Sequence, residues 1–411
     1  MLTVRARMFL AAAGVFYLFA NQTQVGWLYV MSALLAGTVL AGCWLSRGTL
    51  RHIAGERQVG SNADAEVYEG DDVNIDLTIR QDGRSSAAQL RLNESCPLAA
   101  PESKQHSMAI FIPTLPANSA VKFDYSVSLY RRGVHDFPAV KLASRAPFGF
   151  FQQRRELPIS TRVLVFPEVR PLHHLDLLDR QLSPQLPRPR AGTGYEVMGV
   201  RPFRNGDSPR HIHWRSVART GQLVSKEFAD EAQPGLSLVL DLFQHPYPVT
   251  DSKHVPFEWA VKCAASIGEY ARLKGYPLHI VADDDVLAAP VGAVSRWALL
   301  QYLARVQPTG IATLPRVLGR QALQTFAAVI LPWPDRAIVE PLLELHRRRV
   351  EVLAVVIDPQ TFPSGGLSTP SAAPLVDELR ALGIETCYIR FTQDGEDWAQ
   401  QLSEGALERV H

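Results

Sequence analysis

Apolar residues follow four different patterns along this chain, and each pattern predicts a different kind of element. The first is near-continuous. Met8–Ala20 is apolar, Asn21-Gln22-Thr23-Gln24 interrupts it, and Val25–Ser46 follows without a charged residue. The second run meets the roughly 20 residues a helix needs to span a bilayer. The first run is shorter, and reaches a marginal span if Val4 is included and Arg5 and Arg7 snorkel to the interface. The uncharged Asn-Gln-Thr-Gln stretch suits a tight turn, so residues 1–50 read as a transmembrane helix hairpin. Arg5 and Arg7 precede it and Arg47, Arg51 and Arg57 follow it. Positive charge at both ends predicts that both ends, and everything downstream, are cytoplasmic.

The second pattern has period two. Val73–Ile79 and Val121–Leu129 alternate apolar and polar positions, as strands with one buried face do. Gly70-Asp71, Asp82-Gly83 and Pro116-Ala117-Asn118 supply turns between such runs. No helical stretch stands out, so residues 51–168 predict an all-β, immunoglobulin-like sandwich. Its residues read as scaffold and carry no catalytic set. Residues 169–235 then lose periodicity, with His173-His174, a short helical spacing over Leu175–Leu182, and the Pro- and Arg-rich stretch Ser183–Gly194. This reads as a linker. The paired histidines lack a second pair at metal-ligand spacing.

The fourth pattern begins at Leu236. Leu236–Phe243, Leu278–Ala282, Ala327–Leu331, Val350–Ile357 and Thr386–Ile389 are short, nearly continuous apolar runs. Such runs mark parallel strands covered on both faces. Between them, Phe257–Lys274, Ser295–Arg305, Arg336–Arg349 and Ala373–Leu382 have helical spacing. Strands alternating with helices predict a doubly wound α/β sheet over residues 236–411. No G-x-G-x-x-G or Walker A motif accompanies it, so no nucleotide cofactor is expected.

Charge narrows the possibilities. Lys+Arg 42 against Asp+Glu 41 gives a formal net charge of +1, so no global field draws in nucleic acid. The basic charge is local: Arg201–Phe228 holds Arg201, Arg204, Arg210, Arg215, Arg219 and Lys226 against Asp207 and Glu227, with Trp214 in the middle. Asp207 is placed to accept a bidentate guanidinium. In an extended segment Arg210, Ile212 and Trp214 would share one face, with arginine stacked on Trp214 for about 0.5–1 kcal/mol. That supports an internal lattice clamping the linker to the α/β domain. The competing reading is a surface for an anion or an acidic partner. No interleaved aromatic platform supports nucleic acid.

Four scattered cysteines, Cys43, Cys96, Cys263 and Cys387, lack C-x-x-C spacing, which argues against a disulfide framework and a structural zinc site. Leu40-Ala41-Gly42-Cys43 has the form of a lipobox, but Cys43 sits late in the apolar run and is followed by Trp44-Leu45 rather than a polar spacer. A cleaved signal peptide would need a small-residue site after Ala20, and a second apolar run stands there instead. At the carboxyl ends of the predicted strands lie Asp241, Asp283-Asp284-Asp285 and Asp358. Such carboxylates are where an α/β sheet would hold a hard cation, and also where aspartate commonly caps a turn.

The run Arg201-x-Phe203-x-x-Gly206-Asp207-x-x-Arg210-x-Ile212-x-Trp214-Arg215-x-x-Ala218-Arg219-x-Gly221 strongly resembles the bacterial family labelled domain of unknown function 58. The likeness extends to the apolar N-terminus, to Ala146-Pro147-Phe148-Gly149-Phe150-Phe151, and to a sheet opening at Leu236. It implies an inner-membrane protein with a von Willebrand A-like domain that accompanies MoxR-type AAA+ ATPases. A metal-binding domain of that type carries D-x-S-x-S after its first strand. Here Asp241 matches, but Phe243 and His245 replace both serines. The motif D-P-F-G likewise has Ala146 in its acidic position. A metal-independent, non-enzymatic adaptor is therefore expected, with the MoxR-type ATPase and other proteins as partners. The alternatives are a metal-dependent hydrolase built on Asp241, Asp283 and His245, and an envelope lipoprotein.

Overall fold

A computed structural model describes residues 2–60, 66–179, 191–203, 212–229, 235–246, 253–283, 285–288, 294–363, 369–392 and 398–404. The chain divides into two compact units, Met1–Glu168 and Val169–His411.

Unit one begins with helices α1 (Val4–Thr23) and α2 (Gly26–Ser46). They pack antiparallel. Ser32 Oγ on α2 donates to the Ala13 carbonyl on α1 at 2.8 Å, and Tyr17 meets Tyr29 edge-on at 6.0 Å. Asn21, Gln22 and Thr23, expected in the turn, continue α1, and Gln24, with a left-handed φ of 56°, and the extended Val25 make the reversal. Among the described residues, only α2 is long and apolar enough to cross a membrane. At 21 residues it is about 31 Å long. The expectation of two spans is thereby reduced to one. In α1 the polar ends that were read as flanks, Arg5 and Arg7 at the start and Asn21–Thr23 at the finish, consume helix length.

The β part of unit one contains β1 (Ile53–Val59), β2 (Val67–Tyr68), β3 (Asp72–Gln81), β4 (Ala87–Ser95), β5 (Ser107–Leu115), β6 (Ser119–Ser128), β7 (Gly133–Asp136), β8 (Val140–Ser144), β9 (Gln153–Leu157) and β10 (Arg162–Phe166). They form an antiparallel β1-β3-β6 sheet, an antiparallel β5-β4-β8-β9 sheet and a small mixed β2-β10-β7 sheet. Alternation decides which side is core: Val73, Ile75, Leu77 and Ile79 of β3 are buried between exposed or half-buried neighbours. Leu77 and Ile79 meet Leu90 and Leu92 of β4, Leu142 of β8 and Leu157 of β9.

One charged pair crosses that core. Arg57 on β1 forks onto Glu94 on β4, Nε to Oε1 at 2.9 Å and Nη2 to Oε2 at 3.1 Å, with both side chains fully buried. Arg57 also donates to the Ile159 carbonyl at 3.2 Å and lies 4.4 Å from the Phe137 ring centre. The pair is satisfied because every direction of the guanidinium finds an acceptor or a ring face, which offsets the desolvation cost.

The turn Arg145–Phe151 seats the helices. Phe150 is buried with Ala6 of α1 and Val39 of α2, and stacks obliquely on Phe9 at 4.9 Å. Thr3 donates its amide to the Phe150 carbonyl at 2.9 Å and its hydroxyl to the Gly149 carbonyl at 2.8 Å. A Cβ at Gly42 would lie 3.1 Å from the Phe150 ring, so a glycine on α2 permits this approach.

Unit two contains a two-stranded ribbon, β11 (Ala191–Pro202) with β12 (Val224–Ala229), and a six-stranded sheet. The sheet comprises β13 (Leu236–Leu240), β14 (Leu278–Ala282), β15 (Asp285–Ala288), β16 (Phe326–Leu331), β17 (Glu351–Ile357) and β18 (Glu385–Ile389), in the order β15-β14-β13-β16-β17-β18. Five strands are parallel, and β15 pairs antiparallel at the edge. The helices are α3 (Asp176–Asp179), α4 (Trp214–Thr220), α5 (Pro256–Leu273), α6 (Arg296–Arg305), α7 (Leu314–Arg320), α8 (Val339–Arg347), α9 (Ala373–Ala381) and α10 (Trp398–Glu404). Helices α7, α8 and α9 cover one face of the sheet through Leu314, Leu342 and Leu375. Helix α5 packs on β13, β14, β16 and β17. Coverage on both faces explains why every residue of β13 and β16 is buried.

Glu94→Gln leaves the buried Arg57 charge without its carboxylate, at an expected cost of about 3 kcal/mol. In hydrogen–deuterium exchange of the full chain in detergent, β1 and β4 amides should lose about 100-fold protection.

Candidate functional site

Two places gather the residues that the sequence singles out. The first is the basic run. Arg201, opposite Ser225, and Pro202, opposite Val224, end β11 in its antiparallel pairing with β12. The chain returns through a bridge between Ile212 and Ser225 and a bond from the His213 amide to the Val224 carbonyl at 2.9 Å. Extended backbone stops there. Trp214 begins helix α4, and His213 Nδ1 lies 2.7 Å from Ser216 Oγ across its first turn. Gly221 closes the helix with a left-handed φ of 68°, its amide bonded to the Val217 carbonyl. The expectation that Arg210, Ile212 and Trp214 share one strand face thus fails at Trp214. The helix wins because Gly221 is available as its C-terminal cap.

The consequence is exposure. Trp214 is 65% exposed, and Arg215 and Arg219 are exposed on the same short helix. Neither of these arginines has a carboxylate partner among the described residues. Arg201 donates to the neighbouring Pro202 carbonyl at 3.2 Å. Arg204, Asp207 and Arg210 lie outside the described residues.

The second place is the carboxyl end of the parallel sheet. Strand β13 pairs with β14 on one side and β16 on the other, so the direction of winding reverses there. Open α/β sheets place their ligand crevice at such a reversal. Asp241 follows β13 and is 4% exposed. Its Oδ1 accepts the Phe243 amide at 3.0 Å, and its Oδ2 lies 2.7 Å from His245 Nε2. The His245 ring stacks on Trp333, just beyond β16, at 5.6 Å and 12°. Phe243 closes the other side, its ring 5.1 Å from His245. The remaining cavity lined by Asp241, Phe243, His245 and Asp335 is about 10 Å³. That is at most room for one water.

Of the other strand-end carboxylates, Asp358 is fully engaged and Asp283 only at Oδ2, its Oδ1 being buried without a partner. Asp283 Oδ2 accepts the Ile311 amide at 3.3 Å. A Cβ at Gly310 would lie 2.9 Å from the Leu242 carbonyl and 3.0 Å from that same Oδ2, so only glycine fits between them. Asp358 accepts the Gln360 and Ala372 amides at 3.1 and 3.2 Å, together with the Tyr388 hydroxyl. Burial, then the bond to Asp358, pushes the Tyr388 phenol up to about 12, so Tyr388 stays a donor. The structure therefore brings Asp241 and His245 together but turns Asp283 and Asp358 to separate local bonds.

A Mg²⁺ site at Asp241 does not fit this donor set. Both carboxylate oxygens are engaged, Phe243 has no ligand atom, and the His245 nitrogen facing Asp241 is spent on it. Sequence reasoning identified the two replaced serine positions but missed the Trp333 stack, because nothing in the spacing links position 245 to 333. The four-residue interval between Asp241 and His245 was the available signal.

Residues 199–369 match the family described as protein of unknown function DUF58. The matched region holds both the exposed helix and the closed crevice. No curated protein matches the chain. Among solved structures, similarity is found to a Northeast Structural Genomics Consortium target, at 14% identity over 30% of this chain and 96% of that one, with a TM-score of 0.18. A GH20 exo-β-N-acetylglucosaminidase from Vibrio harveyi is 10% identical over 74% of this chain and 57% of its own, with a TM-score of 0.21. The acyltransferase SsfX3 from a tetracycline biosynthetic pathway also has 10% identity and a TM-score of 0.21, over 86% and 95% of the two chains. Backbones at such TM-scores do not superpose, so neither fold nor activity passes from these proteins to this one.

His245→Ala strands the buried Asp241 charge and should lower stability by about 2–3 kcal/mol. The loss is read as an earlier transition in tryptophan fluorescence, to which Trp333 reports directly. Millimolar Mg²⁺ should leave the wild-type transition in place; a Mg²⁺-dependent rise abolished by Asp241→Ala would refute the misfit.

Proposed function

We propose that this chain is a membrane-anchored, non-enzymatic adaptor that holds partner proteins through the exposed face of α4. Trp214 beside Arg215 and Arg219 carries this reading. An exposed indole flanked by guanidinium groups is the composition enriched where interfaces concentrate their energy. The crevice supports it from the opposite direction: where a doubly wound sheet would admit a substrate, Asp241, His245 and Trp333 close the space.

The order of the five parallel strands, with an aspartate after the first, is compatible with a von Willebrand A-like domain in which internal side-chain contacts replace the metal. The three antiparallel and mixed sheets of unit one fit an immunoglobulin-like spacer. Helix α2 supplies the anchor, with α1 packed beside it. Arg5, Arg7, Arg47 and Arg51 at one end of the antiparallel pair favour a cytoplasmic orientation in a bacterial inner membrane. The partner class, by the family resemblance, is a MoxR-type AAA+ ATPase acting with this chain in the assembly or maturation of other proteins.

Crosslinking and purification from native membranes tests the adaptor. Trp214→Ala combined with Arg215→Glu and Arg219→Glu should remove the ATPase from the captured set while circular dichroism stays unchanged. A folded variant that keeps every partner eliminates α4 as the interface. Alkaline phosphatase fused after His411 should be inactive, and activity there would overturn the cytoplasmic orientation.

A further inference from the structure

Unit one carries a second concentration of arginine, of which the adaptor reading uses only Arg5 and Arg7, and those only for orientation. A groove of about 590 Å³ runs between the start of α1, strand β4 and the connection from β8 to β9. Arg5 and Arg7 line it from α1, Arg91 from β4 and Arg145 from the turn that seats the helices, with Gln89 and Gln152 between them. Among the described residues no carboxylate lines it. All four arginines are exposed, and among the described residues none of their guanidinium groups has a hydrogen-bond or ion-pair partner. Like charges gathered this closely raise one another's energy unless an anion joins them. The floor is also unusual: Gln89, inside β4, has a left-handed φ of 52°. Non-glycine residues held in that region of backbone space concentrate at ligand sites.

Position selects the anion. The antiparallel pairing of α1 and α2 puts Arg5 and Arg7 at the same end as Ser46 and Arg47, where α2 leaves its apolar stretch. Phe150 is wedged between Ala6 and Val39 at that end, and Phe148 stands 52% exposed beside it. If α2 crosses the bilayer, the groove opens into the headgroup layer. Guanidinium forks match phosphate oxygens bidentately, and the glutamine amides add neutral donors for ester or hydroxyl oxygens. The volume suits one headgroup.

We infer that this groove binds the phosphate headgroup of an anionic phospholipid, holding unit one in a defined pose on the membrane surface. The inference rests on the membrane-anchor reading of α2. The groove and the arginines belong entirely to unit one, so the site is independent of α4 and its partners. Phosphate is the recognised chemistry, and the lipid is its source because the groove lies at the end of the apolar helix.

The test uses the full chain in mixed detergent micelles containing equal phosphatidylglycerol and phosphatidylcholine, with the lipid retained after washing measured by mass spectrometry. Wild type should enrich phosphatidylglycerol. Arg91→Ala with Arg145→Ala should lower that enrichment about five-fold for each arginine removed, and Arg84→Ala, exposed elsewhere on the unit, should leave it unchanged. If the double variant does not fold, Arg91→Gln alone should still give about a five-fold loss. Equal retention of the two lipids by wild type, or undiminished enrichment in the folded variant, overturns the inference. Displacement of the lipid by millimolar inorganic phosphate would overturn it in favour of a soluble anion. Carbonate extraction separates the two claims. A chain that stays in the membrane but shows no lipid preference lacks the headgroup site, whereas a chain released by carbonate lacks the anchor.

Discussion

Unit one depends on the burial of Phe150. The aromatic ring projects from a turn at the edge of the sandwich and has no place in the sandwich core itself. Ala6 on α1 and Val39 on α2 supply its apolar surroundings, and Gly42 leaves space for its approach. The bonds from Thr3 to the Gly149 and Phe150 carbonyls then lock the first turn of α1 to the same loop. The helices are thereby docked rather than tethered, and the direction of α2 relative to the sandwich follows from this contact. Arg5 and Arg7 are carried beside Arg91 and Arg145 for the same reason.

The two larger β-sheets of unit one are joined in two ways. Leu77, Ile79, Leu90 and Leu92 interdigitate without polar demands, while Arg57 and Glu94 cross the core with their hydrogen bonds satisfied. Hydrophobic packing tolerates small slips between sheets. A forked ion pair does not, since a displaced guanidinium would lose acceptors that no water can replace.

In unit two the strand-end carboxylates are drawn mainly into bonds within the chain. Asp241, Asp283 and Asp358 stand where strand-end carboxylates serve chemistry in other α/β sheets. Asp241 and Asp358 are occupied by amides, an imidazole or a phenol of the chain itself, whereas Asp283 accepts one amide at Oδ2 and keeps Oδ1 buried without a partner. The stack of His245 on Trp333 fills the space that an open crevice would need. On the ribbon side, Trp214 of α4 reaches solvent.

Much of this architecture was legible along the chain. Continuous apolar runs located all five parallel strands, since a strand buried on both faces has no polar positions to interrupt it. Alternation located β3 and β6 for the converse reason. The short elements were not legible. Helix α4 lies in a segment whose alternation suggested a strand, and its existence turns on the cap at Gly221 rather than on periodicity. Helix α1 falls short of a second span because polar residues at both of its ends occupy part of its length.

The sequence by itself determined the succession of apolar helices, half-buried strands and fully buried strands, because hydrophobic periodicity is a local property. It also showed that Phe243 and His245 stand where a metal site would need hydroxyls. Only the tertiary structure decided that His245 takes up Asp241, and that Trp333, distant in sequence, covers the pair. It alone brought Arg5 and Arg7 from the N-terminus to Arg91 and Arg145. Those meetings depend on how elements far apart in the chain pack, and no local pattern of residues encodes them.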